Sequence, residues 1–274
     1  MKALYDLVSA KASKTLTTHY STSFSLGIRV FAKKYHEPIY NIYGFVRLAD
    51  EIVDTFHEWD KHAMMARFRE DTERAVKEGI SLNPILHSFQ RTVNAYRIDY
   101  ALIDAFLRSM EMDLDDREYD LETYKRCIFG SAEVVGLMCL KVFVDGDEAK
   151  YQHLKPFAMS LGSAFQKINF LRDIRADYTK LGRTYFPGVD LESFSREEKK
   201  AIEEDIARDF DHALIGIKQL PSPVRFGVYL AYVYYVTLFK KIRRKSPAAV
   251  LSRRIRIPNY KKYYLLLKSY LSHP

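Results

Sequence analysis

The chain has 274 residues, enough to bury a full hydrophobic core, and its 43 Lys and Arg against 35 Asp and Glu give a net charge of +8. Two cysteines exclude a disulfide-stapled scaffold and favour a reducing cytoplasm, and the first residues lack the apolar stretch of a signal peptide. No run approaches the roughly 18 uncharged apolar residues of a membrane-spanning helix. The positive charge indicates an anionic partner: nucleic acid, anionic lipid or a phosphorylated small molecule.

Helical periodicity dominates the sequence, which contains no alternating apolar and polar segment, low-complexity tract or Gly- and Ser-rich linker. We therefore predict an all-α fold in one domain spanning residues 1–274. The first amphipathic helix is predicted at residues 2–20. Its spaced apolar residues are Leu4, Leu7, Val8, Ala12 and Leu16.

Hydroxyl side chains cluster directly after this helix, at Ser21, Thr22, Ser23 and Ser25. Such residues are frequent helix N-caps, and capping of the next helix is the simpler interpretation. Their hydroxyl and backbone N–H groups could instead hold a phosphate. These residues alone leave both interpretations open.

Residues 38–56 are predicted to form a helix with one apolar face and one unusual polar face. The polar face carries Tyr43, Arg47, Asp50 and Asp54, spaced by four, three and four residues. Two carboxylates one helical turn apart repel each other unless a cation lies nearby. A single pair of this kind is unspecific, because it also occurs by chance on solvated helix faces.

The middle of the chain predicts a charged outer helix at residues 60–80 and an amphipathic pair at 85–112. The acidic segment 109–120 is predicted to be a surface or loop segment, although Asp113 could approach the site. Residues 123–144 predict one very apolar helix. Its small residues allow either close helix packing or room for a ligand chain, and they are Gly130, Ser131, Ala132 and Gly136.

A second polar stripe lies within an apolar helix predicted at residues 161–178. Spacings of four, three, four and four residues place on one face Gly162, Gln166, Asn169, Asp173 and Asp177. Arg172 and Arg175 flank that face. Mg²⁺ usually binds through one or two carboxylates together with substrate phosphates. Two acidic helix faces opposed across a cavity therefore predict Mg²⁺ ions held against a diphosphate.

The C-terminal part predicts a charged outer helix within residues 195–221 and a Tyr-rich apolar helix at 224–245 that ends in a basic cluster. The tail that follows is basic and aromatic. Its cations include Arg253, Arg254, Arg256, Lys261 and Lys262. We expect this tail to fold over the site, to contact an anionic membrane surface without insertion, or to do both.

Two segments, FVRLADEIVD at 45–54 and LGSAFQKINFLRDIRADY at 161–178, resemble the paired aspartate-rich signatures of the squalene and phytoene synthases. The resemblance covers most of the chain, including its YSTSFS, GSAEVVG and GRTYFP segments and its RRIRIPN tail. It implies an all-α isoprenoid synthase bundle with a central active-site cavity. Within that family, the motifs are more similar to bacterial phytoene synthases than to eukaryotic squalene synthases.

The resemblance also implies roles for individual residues. Metal ligands would be Asp50, Asp54, Asn169, Asp173 and Asp177, for Mg²⁺ or alternatively Mn²⁺. Diphosphate and the first part of the prenyl chain would contact Arg47, Arg172, Gln166, Asn169, Ser21, Ser23 and Phe24. Expected near the diphosphates are Tyr185 and, less closely matched, Arg254 and either Tyr234 or Tyr235.

The implied reaction joins two geranylgeranyl diphosphates to phytoene through a cyclopropyl diphosphate. We expect no NADPH, because the sequence has no Gly-rich dinucleotide fingerprint, although the family binds its reductant without one. The alternative is a squalene or dehydrosqualene synthase acting on the C15 donor, since chain length depends on which side chain closes the cavity. The oligomeric state is not predicted.

One position departs from the family pattern: Cys127 stands where a Tyr is usual. A thiol is a poorer hydrogen-bond donor than a phenol. Either Tyr124 substitutes for it, or that Tyr is not essential, or turnover is weakened. We keep Cys127 as a candidate for lining the site and give it no catalytic role.

Two other classes of function are considered and set aside. A basic nucleic-acid-binding module would explain the charge, but not the four Asp inside apolar helices, and no helix-turn-helix motif is present. A non-catalytic membrane scaffold has only Cys127 in its favour. We therefore predict an enzyme with prenyl diphosphate substrates, cytoplasmic or peripheral on the membrane, and no nucleic-acid partner.

Overall fold

The computed structural model describes residues 1–115, 119–181, 185–189, 193–252 and 254–258, without the side chains of residues 23 and 175–181. These residues form α-helices and contain no β-strand, which confirms the predicted all-α fold. The helices are α1 (Lys2–Tyr20), α2 (Thr22–Arg29), α3 (His36–Asp54), α4 (Lys61–Glu78), α5 (Pro84–Tyr96), α6 (Tyr100–Asp115), α7 (Leu121–Ile128), α8 (Val134–Phe143), α9 (Glu148–Leu181), α10 (Arg196–Gln219), α11 (Ser222–Arg243) and α12 (Pro247–Ser252). Within the described ranges, no helix is both long and apolar enough to cross a bilayer.

Helix α1 packs with its small polar residues inward rather than its leucines. Its buried residues are Ser9, Ala10, Ser13 and Thr17. The Ser13 hydroxyl lies 2.6 Å from that of Ser88 on α5, and a Cβ added to Gly44 of α3 would lie 2.8 Å from it. Bulky side chains cannot fit a contact this close. The apolar stripe of α1 is consequently left on the outside.

The acidic segment 109–120 was predicted to be a surface or loop segment, and this prediction is wrong for its first part. Helix α6 continues to Asp115, and its residues Ser109 and Met110 are buried. The buried positions recur with the helical period of Ile103 and Phe106. Helical periodicity therefore outweighs the acidic composition of this segment up to residue 115.

The predicted single helix at 123–144 is interrupted by a π-helical segment. Helix α7 ends at Ile128, the π-helix spans Phe129–Glu133, and α8 begins at Val134. Helix α9 passes very close to this segment, because a Cβ on Gly162 would lie 2.9 Å from the Ala132 carbonyl oxygen. Only glycine allows this approach. π-Helical turns of this kind are frequent at functional sites.

Helix α9 is the longest element, with 34 residues and Pro156 inside it. A buried ion-pair cluster joins it to α10. Lys167 donates to Asp205 and, at 2.8 Å, to Asp209. Ser163 donates to the same Asp209 carboxylate at 2.7 Å. Since Lys167 is almost fully buried, this pairing holds α10 in register on the outer side of α9.

Two hydrophobic clusters form the core. The first is centred on Phe45 of α3, which stacks on Phe89 with ring centres 3.9 Å apart and contacts Phe106. The second includes Ile168 and Leu171 of α9 and residues of α10, α11 and α12. A cavity lies between helices of these two groups, and it is lined by parts of α2, α3, α8, α9, α10 and α11.

Candidate active site

The first acidic pair lies at the C-terminal end of α3. Asp50 and Asp54 are one turn apart, and the Asp50 side chain is 32% exposed. Burial and the negative charges of Asp54 and Asp113 raise the pKa of Asp50 to about 7, while Arg47 opposes the rise. Asp50 thus lies where negative charge exceeds its local compensation, as expected of a position that binds a cation.

Arg47 is held beside this pair by two neighbours. Its guanidinium donates to Glu51, and it lies 4.4 Å from the centre of the Tyr20 ring. One of its terminal nitrogens is 3.8 Å from Asp50. Its Nε atom is buried without a hydrogen-bond partner. An unpaired buried donor is costly, and a phosphate oxygen is a group that would satisfy it.

On α9, two arginines converge on a single carboxylate. Arg172 Nη2 lies 2.6 Å from Asp173 Oδ2, and Arg254 Nε lies 2.6 Å from Asp173 Oδ1. The C-terminal segment therefore returns to the second acidic motif. Because two cations share one carboxylate, this side of the site has positive charge available for an anion.

The amide residues of α9 face the cavity between these charges and its apolar part. Gln166 and Asn169 both line it. The Tyr235 hydroxyl donates to Asn169 Oδ1 at 3.4 Å, and the Tyr235 ring stacks on Phe165 at 3.9 Å. Burial raises the pKa of Tyr235, so this phenol stays protonated and keeps its donor.

The segment after α1 caps the next helix, which confirms the simpler of its two interpretations, and its role in holding a phosphate stays a prediction. Ser21 caps α2 by accepting a hydrogen bond from the Phe24 backbone N–H at 3.2 Å. Ser21 and Phe24 also line the cavity. The Phe24 ring stacks on Tyr43 of α3, with ring centres 4.8 Å apart. The Ser23 side chain lies outside the described part of the structure.

The cavity has a volume of about 520 Å³, within the usual range for small-molecule sites. Ser21, Gln166, Asn169 and Arg172 form its polar part. Its remaining lining is mainly aliphatic and aromatic, including Phe31, Leu140, Phe143, Leu154, Phe157, Leu161, Ile217 and Leu220. A charged group would be accommodated at the first part and a hydrocarbon chain along the second.

Several predicted residues lie apart from the cavity lining. Tyr185 is buried and stacks on Phe170 with ring centres 3.9 Å apart. Cys127 is buried in the second core cluster rather than among the lining residues. The backbone of Asp177 belongs to α9, but its side chain is outside the described residues. Tyr234, by contrast, lines the cavity beside Tyr235.

Tyr119 is a residue that sequence reasoning missed. Its hydroxyl donates to Asp113 at 2.6 Å, and Asp113 is close enough to Asp50 to raise its pKa. Its ring contacts Tyr185, with ring centres 5.0 Å apart. Tyr119 is thus linked to the first acidic pair through Asp113. The one sequence signal for Tyr119 is that it lies six residues after Asp113.

The donor set fits hard divalent cations without forming a complete protein cage. Carboxylates of α3 and α9 and the Asn169 amide are oxygen ligands of the kind that Mg²⁺ prefers. Within the described side chains, no group of three or more His, Cys, Asp and Glu is arranged to hold a metal ion. Mg²⁺ sites commonly complete their coordination with water and substrate phosphates. The residues present are compatible with that mode of binding.

The all-α bundle around an apolar cavity is the isoprenoid synthase fold, and Gln166, Asn169 and Arg172 form a polar part of that cavity. The squalene/phytoene synthase family model matches residues 17–261, so the chain belongs to this family. The phytoene synthase of Arthrospira platensis is 24% identical over 92% of this chain and 89% of its own. The presqualene diphosphate synthase of Rhodopseudomonas palustris is 28% identical over 61% of this chain and 58% of its own. A solved dehydrosqualene synthase, in complex with ligand, has a TM-score of 0.85 at 18% identity and covers 98% of both chains.

Proposed function

We propose that this protein condenses two geranylgeranyl diphosphates head to head into phytoene, through a cyclopropyl diphosphate and without NADPH. The proposal rests on one observation: the polar end of the cavity, at Arg172 and Asn169, is continuous with its long apolar part. Family membership supports head-to-head prenyl condensation. The phytoene synthase relative supports the choice of product.

Arg47 and Arg172 would bind the diphosphate that leaves in the first ionisation. Arg172 lines the cavity, and Arg47 has a buried Nε that lacks a partner. Fixed positive charge stabilises the negative charge that develops on a leaving group. Mg²⁺, bound by Asp50, Asp54, Asn169, Asp173 and Asp177, would supply further neutralisation of the diphosphate.

Aromatic faces next to the polar end would stabilise the allylic carbocation without capturing it. The Phe24–Tyr43 and Phe165–Tyr235 stacks contribute to the cavity lining. The negative face of an aromatic ring attracts a cation. The surrounding apolar side chains exclude water, which would otherwise quench the cation. Released diphosphate, held by Arg47 and Arg172, is the proposed base for the final proton loss.

The cavity is long enough for a C20 donor, and for the shorter C15 donor as well. Its lining follows α9 from Leu154 to Arg172, which at 1.5 Å per residue corresponds to about 27 Å. With C–C bonds of about 1.5 Å, the extended main chain of a C20 prenyl group spans about 19 Å and that of a C15 group about 14 Å. The cavity therefore has room for the longer chain and its diphosphate.

The alternative function is condensation of two C15 donors to presqualene diphosphate, squalene or dehydrosqualene. Its support is the name of the presqualene diphosphate synthase relative and the close fold of the dehydrosqualene synthase. It uses the same charged residues and the same first ionisation. It differs in donor length and in the way the second carbocation is quenched.

Incubation of the purified protein with Mg²⁺ and either donor, with and without NADPH, separates these functions. We expect phytoene from the C20 donor in both conditions. The test variant Asp50→Asn should lose more than about 100-fold in rate. Its matched control is Asp71→Asn, an exposed carboxylate on α4 that should leave the rate unchanged. Product from the C15 donor only, with the C20 donor untouched, would overturn the chain length and product proposed here.

A further inference from the structure

Five large apolar side chains are exposed on α1 and on the turn between α4 and α5. Leu4 is 63% exposed and Leu82 is 95% exposed. Leu7, Val8 and Ile80 are each about half exposed. We call these five residues the apolar face. Patches of exposed large apolar residues mark interaction surfaces more often than scattered single ones do.

Specific contacts hold the two parts of this face together. The Tyr5 hydroxyl of α1 donates to the Ser81 carbonyl in the turn between α4 and α5, at 2.7 Å. Asp6 bonds the buried His87 of α5 at 2.7 Å. The turn carrying Ile80 and Leu82 is thereby fixed beside the first turns of α1.

The packing of α1 also prevents this helix from turning its apolar residues inward. The opposite side is occupied by the Ser13 contact with Gly44 and Ser88, which is too close for a leucine. Burial of Leu7 or Val8 would require these contacts to break. Exposure of the apolar face is therefore a property of the fold.

Three exposed lysines lie on the helices that carry or lead into the apolar face. Lys11 and Lys14 are exposed on α1, and Lys77 is exposed at the end of α4. The acid of α1, Asp6, is already bonded to Lys2 and His87. Glu78 adds one exposed negative charge beside Lys77.

We propose that the apolar face binds the surface of an anionic lipid bilayer. Leu4, Leu7, Val8, Ile80 and Leu82 would enter the boundary between headgroups and acyl chains, with the lysines against lipid phosphates. A second copy of the chain fits this face less well, because a two-fold contact would bring both sets of lysines together. The bilayer satisfies the apolar and the cationic residues at once.

This contact would bring the membrane to the helix that leads into the active site. Tyr20, at the C-terminal end of α1, lies over Arg47, and Ser21 lines the cavity. A helix lying along the bilayer surface would keep these residues close to the membrane. The lipid contact itself needs no assumption about the prenyl chain length or the product.

Vesicle co-sedimentation tests the proposal with the full chain and no substrate. Wild-type protein should bind phosphatidylcholine vesicles containing phosphatidylglycerol, and binding should weaken with added salt or without the anionic lipid. The double variant Leu7→Ser, Val8→Ser should bind the vesicles at least about tenfold more weakly, because two apolar side chains can no longer be buried in the bilayer. Ile215→Ser is the matched control, because Ile215 is equally exposed on α10 outside this face.

Three results would overturn the proposal. These are no binding of wild-type protein to anionic vesicles, equal binding by the double variant, or an equal loss in Ile215→Ser. Light scattering can give a fourth such result. If the wild-type protein is a dimer and the double variant is a monomer, the apolar face binds a second copy of the chain rather than lipid. Thermal unfolding shows that each variant is folded, and condensation assayed in detergent should be unchanged. Failure of the activity proposed above would leave the vesicle result standing.

Discussion

Glu133→Gln removes a partly buried charge next in sequence to residues that line the cavity. Glu133 ends the π-helical segment, directly after Ser131 and Ala132, which line the cavity. A Cβ on Gly162 of α9 would lie 3.0 Å from its Cα. Burial, followed by the negative charge of Asp209, raises the pKa of Glu133 to about 7, and Lys167 opposes the rise.

The pKa gives the size and the sign of the expected effect. A rise from 4.5 to about 7 corresponds to a ceiling of about 3 kcal/mol, at 1.36 kcal/mol per pKa unit. Solvent screening at this partly exposed side chain reduces our expectation to about 1–2 kcal/mol. Between pH 4.5 and about 7 the folded protein binds the Glu133 proton more tightly than the unfolded chain. The free energy of unfolding therefore falls as pH rises through this window, and the penalty is complete above it.

Urea unfolding of wild-type and variant proteins at pH 5 and pH 8 measures this penalty. We expect Glu133→Gln to gain about 1–2 kcal/mol at pH 8 and less than half of that at pH 5. The matched control is Glu122→Gln, an exposed glutamate on α7 that should change stability by less than about 0.5 kcal/mol. A variant no more stable than wild type at pH 8, or a gain equal at both pH values, would refute the assigned burial penalty.

Three further predictions concern the proposed reaction. Asp50→Asn or Asp173→Asn should each lower the rate by more than about 100-fold, which is the scale of losing one charge-stabilising group. A chelator should abolish turnover. A near wild-type rate in either variant would contradict the metal-binding role of these residues. Phe157→Ala should enlarge the cavity and raise turnover of a C25 donor relative to the C20 donor, whereas Phe129→Ala, outside the cavity lining, should leave that ratio unchanged in product assays. Arg254→Ala should raise the KM for prenyl diphosphate by about threefold to tenfold through loss of a charged contact, and an unchanged KM would exclude a role for Arg254 in binding.

Short-range patterns predicted those parts of the site that lie on one helix. The i, i+4 spacing of Asp50 and Asp54 and the face shared by Gln166, Asn169 and Asp173 follow directly from the helical period. Helix type was predictable for the same reason, but the bounds only in part. Helix α9 begins at Glu148 rather than at residue 161, and a π-helical segment interrupts the helix predicted at 123–144. The roles of individual residues came from the family resemblance and stay predictions.

Contacts between distant segments could not be predicted in this way. The Arg254–Asp173 ion pair joins α9 to a segment that shares no local period with it. The inverted packing of α1 depends on the space that Gly44 and Ser88 leave for Ser13. Apolar composition alone favours the opposite orientation. Such outcomes depend on shape complementarity between helices, which a one-dimensional pattern does not contain.

The charges around the active site lead to a prediction that needs no prenyl substrate. On described side chains the carboxylates outnumber the guanidinium groups, with Asp50, Glu51, Asp54, Asp113 and Asp173 against Arg47, Arg172 and Arg254. A diphosphate adds several negative charges to this set, and the arginines already have carboxylate partners. Divalent cations would offset this negative charge, so inorganic diphosphate should bind at least about tenfold more tightly with Mg²⁺ than without it.

Isothermal titration calorimetry with inorganic diphosphate, in Mg²⁺ and in a chelating buffer, measures this difference directly. In Asp173→Asn, Arg172 and Arg254 lose their carboxylate partner, so they become available to the ligand while one metal ligand is weakened. Metal-free binding should therefore become tighter in this variant, and the gain from Mg²⁺ should become smaller. Equal affinity with and without Mg²⁺ in the wild-type protein would mean that the arginines alone bind the diphosphate, and the carboxylates would then need another explanation.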